Sequence, residues 1–205
     1  MCWAVALLKC CAHTFTMAGL LVVISSPSGG GKDSVINALL KQFAGSSRFV
    51  TTTSRPPRPG NQEGVDYHFL SSSEFVKKIE QGEFIEYNFY AGHYYGTEAK
   101  RLKKALAQSP LVLTQIEVNG KHNLDKAGIP HLAVFLLPES LAVLKHRIEE
   151  RGGVSKTDLA ERLAIAEKEI AASGDYNCRI VNAEGKLAET IKKIAKIISE
   201  HLANN

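Results

Sequence analysis

Residues 20–34, Leu20-Leu21-Val22-Val23-Ile24-Ser25-Ser26-Pro27-Ser28-Gly29-Gly30-Gly31-Lys32-Asp33-Ser34, carry an apolar run into a glycine-rich turn that ends on a lysine. The run LLVVIS (20–25) shows no polar alternation and reads as a strand buried on both faces. Beyond the turn, Val35, Ile36, Leu39, Leu40 and Phe43 recur at helical spacing, which predicts a helix over Ser34–Phe43. Strand, glycine loop and helix in that order are the setting of a phosphate-binding loop. Glycines let the backbone curl so that amide hydrogens point at phosphate oxygens, and the helix start adds its positive dipole end. Residues Ser26 to Ser34 are thus expected to cradle a nucleoside triphosphate, with Lys32 reaching its β and γ phosphates. A plain glycine turn with a solvent-facing lysine is the simpler alternative.

Two positions depart from the usual loop. Ser26 stands where the first glycine is common, and Asp33 stands where a Ser or Thr hydroxyl normally ligates Mg²⁺. Ser34 cannot substitute, since it lies about 100° further round the helix. Asp33 is therefore expected to bind Mg²⁺ directly or through water, the alternative being an aspartate that only complements the helix dipole.

Outward from this loop, PLVLTQIEV (110–118), HLAVFLLP (131–138) and CRIVN (178–182) read as further strands. Thr97–Gln108, Ser140–Glu150, Lys156–Ala171 and Glu184–Leu202 read as helices. Parallel neighbours need crossover connections, so the alternation predicts an α/β fold of three layers, a parallel sheet between helices. Residues 49–96 break the rhythm: FVTTT, VDYHFLS, EFIEYNFY and AGHYYG are short, aromatic and β-branched, with one helix (Glu74–Gln81) among them. They read as a small mixed β lobe inserted into a core of 19–48 and 97–205. Two helical stretches around a Gly-Gly turn in 147–163, carrying Arg147, Arg151 and Arg162, suggest a mobile helical lid.

With 205 residues, 44% of them hydrophobic, the chain can bury a core without disulfides or a structural metal. A net charge of +4 is too mild for a nucleic-acid-coating protein and suits small anionic ligands. Cys2, Cys10 and Cys11 crowd the start while only Cys178 lies in the body, so no disulfide framework is expected. The opening MCWAVALLKCCAHTF is apolar but short, lacks a basic leading region and is interrupted by Lys9. Residues 1–18 are read as an N-terminal extension outside the fold, with Met17 as a second possible start; a weak targeting segment or an extra helix are the alternatives. Neither the seven histidines nor Cys178 shows metal-ligand spacing. No membrane or nucleic-acid partner is expected.

Downstream, Thr51-Thr52-Thr53-Ser54-Arg55-Pro56-Pro57-Arg58-Pro59-Gly60 and Gly64-Val65-Asp66-Tyr67 are followed by Glu83-Phe84-Ile85-Glu86 and Gly92-His93-Tyr94-Tyr95-Gly96-Thr97. Taken in order, these blocks resemble guanylate kinase, and the resemblance runs over residues 19–200. It implies a cytoplasmic P-loop nucleoside monophosphate kinase that moves the γ-phosphoryl of ATP, with Mg²⁺, to GMP or dGMP. By the same resemblance Arg55, Arg58, Tyr67 and Tyr95 hold the acceptor phosphate, while Thr51, Glu86, Thr97 and Glu117 surround guanine. Arg147, Arg151 and Arg162 would clamp phosphates from the lid, and Asn182 would lie beside adenine. The chain departs from the family at Gln115 and Glu117, where two aspartates are usual, and at Asn61, where a glutamate is usual.

The chemistry of these residues agrees. Arginine forks match a phosphate monoester, and tyrosine hydroxyls donate to its remaining oxygens. Guanine presents N1–H and its exocyclic amine side by side, so the ionised Glu86 carboxylate accepts both; adenine presents an acceptor at N1 and is repelled. Two rivals are a P-loop kinase of another phosphorylated acceptor, such as a ribose phosphate, and a non-catalytic module that grips a phosphopeptide through Arg55, Arg58, Tyr67 and Tyr95.

Overall fold

The computed structural model describes residues 19–90, 92–150 and 155–204; the expected extension 1–18, Arg151 and the Gly152-Gly153 turn lie outside the described residues. In chain order the elements are β1 (Leu20–Ser25), α1 (Lys32–Gln42), β2 (Ser47–Arg48), β3 (Thr52–Thr53), β4 (His68–Phe69), α2 (Ser72–Glu80), β5 (Phe84–Tyr90) and β6 (His93–Glu98). There follow α3 (Ala99–Gln108), β7 (Leu111–Gln115), α4 (Val118–Lys126), β8 (Leu132–Leu137), α5 (Leu141–Glu150), α6 (Lys156–Ala172), β9 (Cys178–Val181) and α7 (Leu187–Ala203).

Five strands form one sheet in the order β2-β7-β1-β8-β9, every pair parallel. The expected buried strand β1 is its middle. Alternation along β1 divides the core. Val22 and Ile24 join Val35, Ile36 and Leu39 of α1 and Ile194 and Ile198 of α7. Leu21 and Val23 face the other way, onto Leu102 and Leu106 of α3 and Leu124 of α4. Both sheet faces are thereby covered by helices, the three layers expected of a strand with no polar side.

A second sheet of four strands runs β4-β3-β6-β5, with β3–β6 and β5–β6 antiparallel and β3–β4 parallel. Its core is aromatic: Phe75 of α2 stacks on Phe84 at 4.3 Å between ring centroids and on Tyr94 at 5.3 Å. Serine 71 caps α2 with a reciprocal box, accepting from Glu74 N while the Glu74 carboxylate accepts from Ser71 N.

Three local expectations are corrected. The strand expected over 110–118 ends at Gln115, and Val118–Lys126 is helical. That helix lacks an apolar period in its sequence; it buries Val118, Gly120, Lys121 and Leu124 instead, so packing and not periodicity holds it. The helix expected from Thr97 begins at Ala99, because Thr97 and Glu98 complete β6. The FVTTT run is split: Phe49 N donates to Leu113 O in the parallel sheet, while Thr52 and Thr53 form β3 in the small one.

Candidate functional site

The glycine loop leaves β1 at the carboxyl end of the parallel sheet, the usual place for ligands in such sheets. Gly31 sits directly before α1 with φ 86°, and a Cβ there would lie 2.7 Å from Asn182 Nδ2. Left-handed backbone and lack of room both demand glycine at this position. Asn182 Nδ2 donates to Gly30 O at 2.9 Å, tying the loop to the end of β9. Lys32 Nζ curls back to donate to Ser26 O at 2.6 Å and Ser26 Oγ at 3.2 Å, which places the ammonium over the mouth of the loop.

A cleft of roughly 360 Å³ opens between this loop and the small sheet. Ser26, Ser28, Gly29, Gly30, Gly31, Lys32, Asp33 and Ser34 line one side. Thr51, Arg55, Arg58, Tyr67, Glu86, Tyr95 and Glu117 line the other, so residues far apart in sequence meet in one cleft. Tyr67 meets Tyr95 edge-on at 5.9 Å and lies beneath the Arg55 guanidinium at 5.4 Å. Arg55 is further held by Asn61 Oδ1 at 3.1 Å. Burial pushes the Tyr67 hydroxyl up to about 12 and the Tyr95 hydroxyl upward too, so both remain hydrogen-bond donors at neutral pH. Two arginines and two protonated tyrosines at one end of the cleft make an anion cup.

The other end of the cleft is acidic. Glu86 is buried, and Thr97 donates its hydroxyl to Glu86 Oε1 at 2.6 Å. Thr97 therefore acts through Glu86 and not as part of the cleft wall. Burial raises the Glu86 carboxyl to about 7, with Glu117 adding to the rise and the Thr97 hydrogen bond opposing it. Burial raises Glu117 as well, against the pull of Lys32. Gly120 closes this end: a Cβ there would meet Ile116 Cγ2 at 2.4 Å and Glu86 Oε2 at 3.1 Å. The first turn of α4 can thus lie against the carboxylate.

Gln115 and Glu117 do share the cleft, but not by strand alternation. The strand has ended, and Glu117 stands in extended backbone directly before α4. Ser25 Oγ donates to Ile116 O at 2.5 Å and accepts from Tyr176 OH at 2.8 Å. This chain couples the root of the glycine loop to the residues that carry Glu117.

Several wall residues escaped the sequence reading. Asn88 and Tyr90 follow Glu86 at steps of two along β5, and the strand period alone would have placed them on its face. Glu169 comes from α6, seven residues after Arg162 and so on the same helical side. Its carboxyl is raised to about 7 by burial, with Lys32 opposing and Glu117 adding.

Other expected residues stand back from the cleft wall. Arg147 Nη2 donates to Asn182 O at 3.2 Å behind the loop. Arg162 lies on α6 within electrostatic reach of Tyr90, and Pro27 takes part in the loop through its carbonyl, accepting from Gly30 N at 3.0 Å. Asp33 Oδ1 pairs with Arg48 Nη2 at 2.6 Å. Among the described residues no three His, Cys, Asp or Glu side chains gather as a metal cage. The Asp33 carboxylate in the cleft fits Mg²⁺ carried on nucleotide phosphates, which takes one or two protein oxygens and keeps its waters. No described helix is long and apolar enough to cross a membrane.

A family model described as Guanylate kinase matches residues 19–201. Guanylate kinase of Thermosynechococcus vestitus is 41% identical over 164 residues, 80% of this chain and 86% of that protein. Guanylate kinase of Lactobacillus johnsonii is 40% identical over 186 residues, 90% of both. Among solved structures, guanylate kinase from Anaplasma phagocytophilum superposes with a TM-score of 0.71 at 28% identity, covering 90% of this chain and 86% of that one.

Proposed function

This chain belongs to the guanylate kinase family, and from that premise we propose that it transfers the γ-phosphoryl group of ATP to GMP, giving ADP and GDP, in the cleft between its two sheets. The observation that carries the reading is the pairing within one cavity of Lys32 on a curled glycine loop with Glu86 and the Arg55, Arg58, Tyr67 and Tyr95 cup. The loop amides and Lys32 take the ATP phosphates, Lys32 Nζ exchanging its Ser26 partners for phosphate oxygens. The cup holds the GMP phosphate, and Glu86, with Thr51 and Glu117 beside it, receives the N1–H and amino edge of guanine.

An oxygen of the GMP phosphate then attacks the γ-phosphorus in line, the bond to the β–γ bridging oxygen breaks, and ADP leaves. The protein contributes position and positive charge, which is most of what phosphoryl transfer requires. Mg²⁺ bound with ATP would sit near Asp33, whose second carboxylate oxygen is left by the Arg48 pair, and would neutralise phosphate charge. Arg147, Arg151 and Arg162 belong to a helical lid in this reading, α5 and α6 carrying the first and last of them. Asn182 borders the adenine. The chain works as a core of 19–48 and 97–205 with a GMP lobe of 49–96, in the cytoplasm.

A release assay for ADP with GMP, dGMP, AMP and a ribose phosphate tests the reading directly. GMP is expected to be the preferred acceptor, and Lys32→Ala to lower kcat by about a hundredfold or more. Near-normal turnover by that variant, or equal rates with AMP, would overturn it.

A further inference from the structure

Directly after Lys32 the glycine loop presents a carboxylate to the cleft: Asp33 lines the same wall as Gly29, Gly30, Gly31 and Lys32. A negative charge at the mouth of a polyphosphate site opposes the ligand that the loop amides and Lys32 attract. Asp33 is, however, paired. The Arg48 guanidinium donates from Nη2 to Asp33 Oδ1 at 2.6 Å.

Arg48 reaches the loop from another part of the fold. It ends β2, the edge strand of the parallel sheet, where it is in register with Leu113 of β7. From there its side chain crosses to α1, and its other terminal nitrogen, Nη1, donates to Asn37 Oδ1 at 3.4 Å. Asn37 lies four residues on from Asp33 and so on the same face of the helix. The guanidinium fork thus spans one turn of α1. Arg48 is the fixed member of the pair, its side chain 20% exposed against 66% for Asp33. It does not itself line the cleft. An ion pair this open to water adds little to stability, so its main consequence falls on the loop beside it.

Resting on the assignment of ATP to the glycine loop, we propose that Arg48 is a positioning residue for the donor nucleotide: by holding one Asp33 oxygen against α1 and offsetting its charge, it keeps that carboxylate from repelling the triphosphate. Without Arg48, an exposed carboxylate turns freely beside Lys32. Without Asp33, Arg48 has nothing on the cleft wall to hold. The two residues act as a unit, which retains an oxygen for Mg²⁺ carried on the phosphates and masks its charge from phosphates that lack the ion.

The test is calorimetric titration of ATP, without GMP and at low ionic strength, into wild type, Arg48→Ala, Asp33→Ser and the double variant, first in EDTA and then with Mg²⁺. In EDTA, Arg48→Ala is expected to weaken ATP binding about tenfold in the Asp33 chain and less than about twofold in the Asp33→Ser chain. With Mg²⁺ the loss in the Asp33 chain should shrink, since phosphates that carry the ion repel a carboxylate less. Arg48→Gln keeps most of the side chain without its charge and should lose as much as alanine, which separates lost charge from lost packing. Undiminished affinity in both Arg48 variants overturns the inference. So does an equal loss in the Asp33 and Asp33→Ser chains, which would have Arg48 act on the phosphates or on the loop's fold without Asp33, and so does a loss of the same size with and without Mg²⁺. Lys32→Ala is titrated alongside: if it binds ATP as wild type does, the assignment of ATP to the loop itself fails, and that failure is seen apart from any effect at Arg48.

Discussion

In the proposed reading Glu86 selects the base, and its environment makes that selection dependent on pH. Burial holds its carboxyl near 7, while only the ionised form can accept from both N1–H and the amino group of guanine. The kcat/KM for GMP is therefore expected to fall as pH drops from about 8 through 7 toward 6, with a slope approaching one proton, because the protonated acid keeps only one good acceptor. A flat profile over that range would count against an ionised Glu86 as selector. Glu86→Gln is expected to cost about a hundredfold in kcat/KM for GMP while changing AMP far less, since an amide offers one acceptor and presents a donor to guanine's own donors. At this scale the sequence was eloquent where residue types are chemically unusual together: Arg55, Arg58, Tyr67, Glu86 and Tyr95 stand out as a set and share the cleft. Asn88 and Glu169 were silent, because a single asparagine in an aromatic strand and one glutamate in a charged helix resemble solvated residues until the chain is folded around them.

Between residues and the whole molecule lie the junctions that aim the site. Tyr176 follows the short turn Ser173–Asp175, and its hydroxyl reaches Ser25 at the root of the glycine loop, which in turn reaches Ile116 at the end of β7. Together the two links tie the root of the glycine loop to Ile116, the residue directly before Glu117. Tyr176→Phe removes one hydroxyl from a buried network and is expected to destabilise the protein by about 1 kcal/mol. Its kinetic signature should be a several-fold loss in kcat with KM for both substrates little changed, which a purely structural defect at the lobe would not give. Two of the misplaced boundaries belong to this scale as well. Thr97 stayed in β6 because its cross-strand partner is Glu86 and its hydroxyl is spent there, a tertiary constraint that outweighs the helical pattern starting beside it. Helix α4 was illegible for the opposite reason: Asn119 and Gly120 resemble a turn, yet Gly120 is needed so that the helix can press against Glu86. The parallel sheet, by contrast, was plain from its apolar runs, since a strand covered on both faces has little freedom in composition.

For the molecule as a whole, the cleft sets carboxyl groups from three separate elements toward one space: Glu86 from β5, Glu117 from the start of α4 and Glu169 from α6. In the proposed reading a guanine ring meets these acids with hydrogen-bond donors, which offset the burial that raises them and the smaller repulsion from Glu117. The consequence is a stability curve with a definite sign. Glu86 titrates near 7 in the folded chain against an ordinary value of 4.5, so folded protein binds its proton more tightly than unfolded protein does. That contribution is complete below about 4.5 and is lost as pH rises through 7, amounting to about 3 kcal/mol for this one group; Glu169 acts in the same direction. Glu63 works the other way: the Phe69 amide holds its carboxyl below the ordinary range, so its stabilisation is lost as pH falls below about 4.5. The ligand-free protein should consequently melt highest near pH 5, fall as pH rises to about 7 and level off above that. Saturating GMP should flatten that decline, because guanine's donors favour the ionised form of Glu86, and the gap in Tm with and without GMP should widen as pH rises. Melting curves at half-unit steps from pH 5 to 8 measure both trends. A ligand-free Tm that climbs steadily over this range would show that burial does not raise these acids in solution, and the account of the base pocket would have to be rebuilt around some other group.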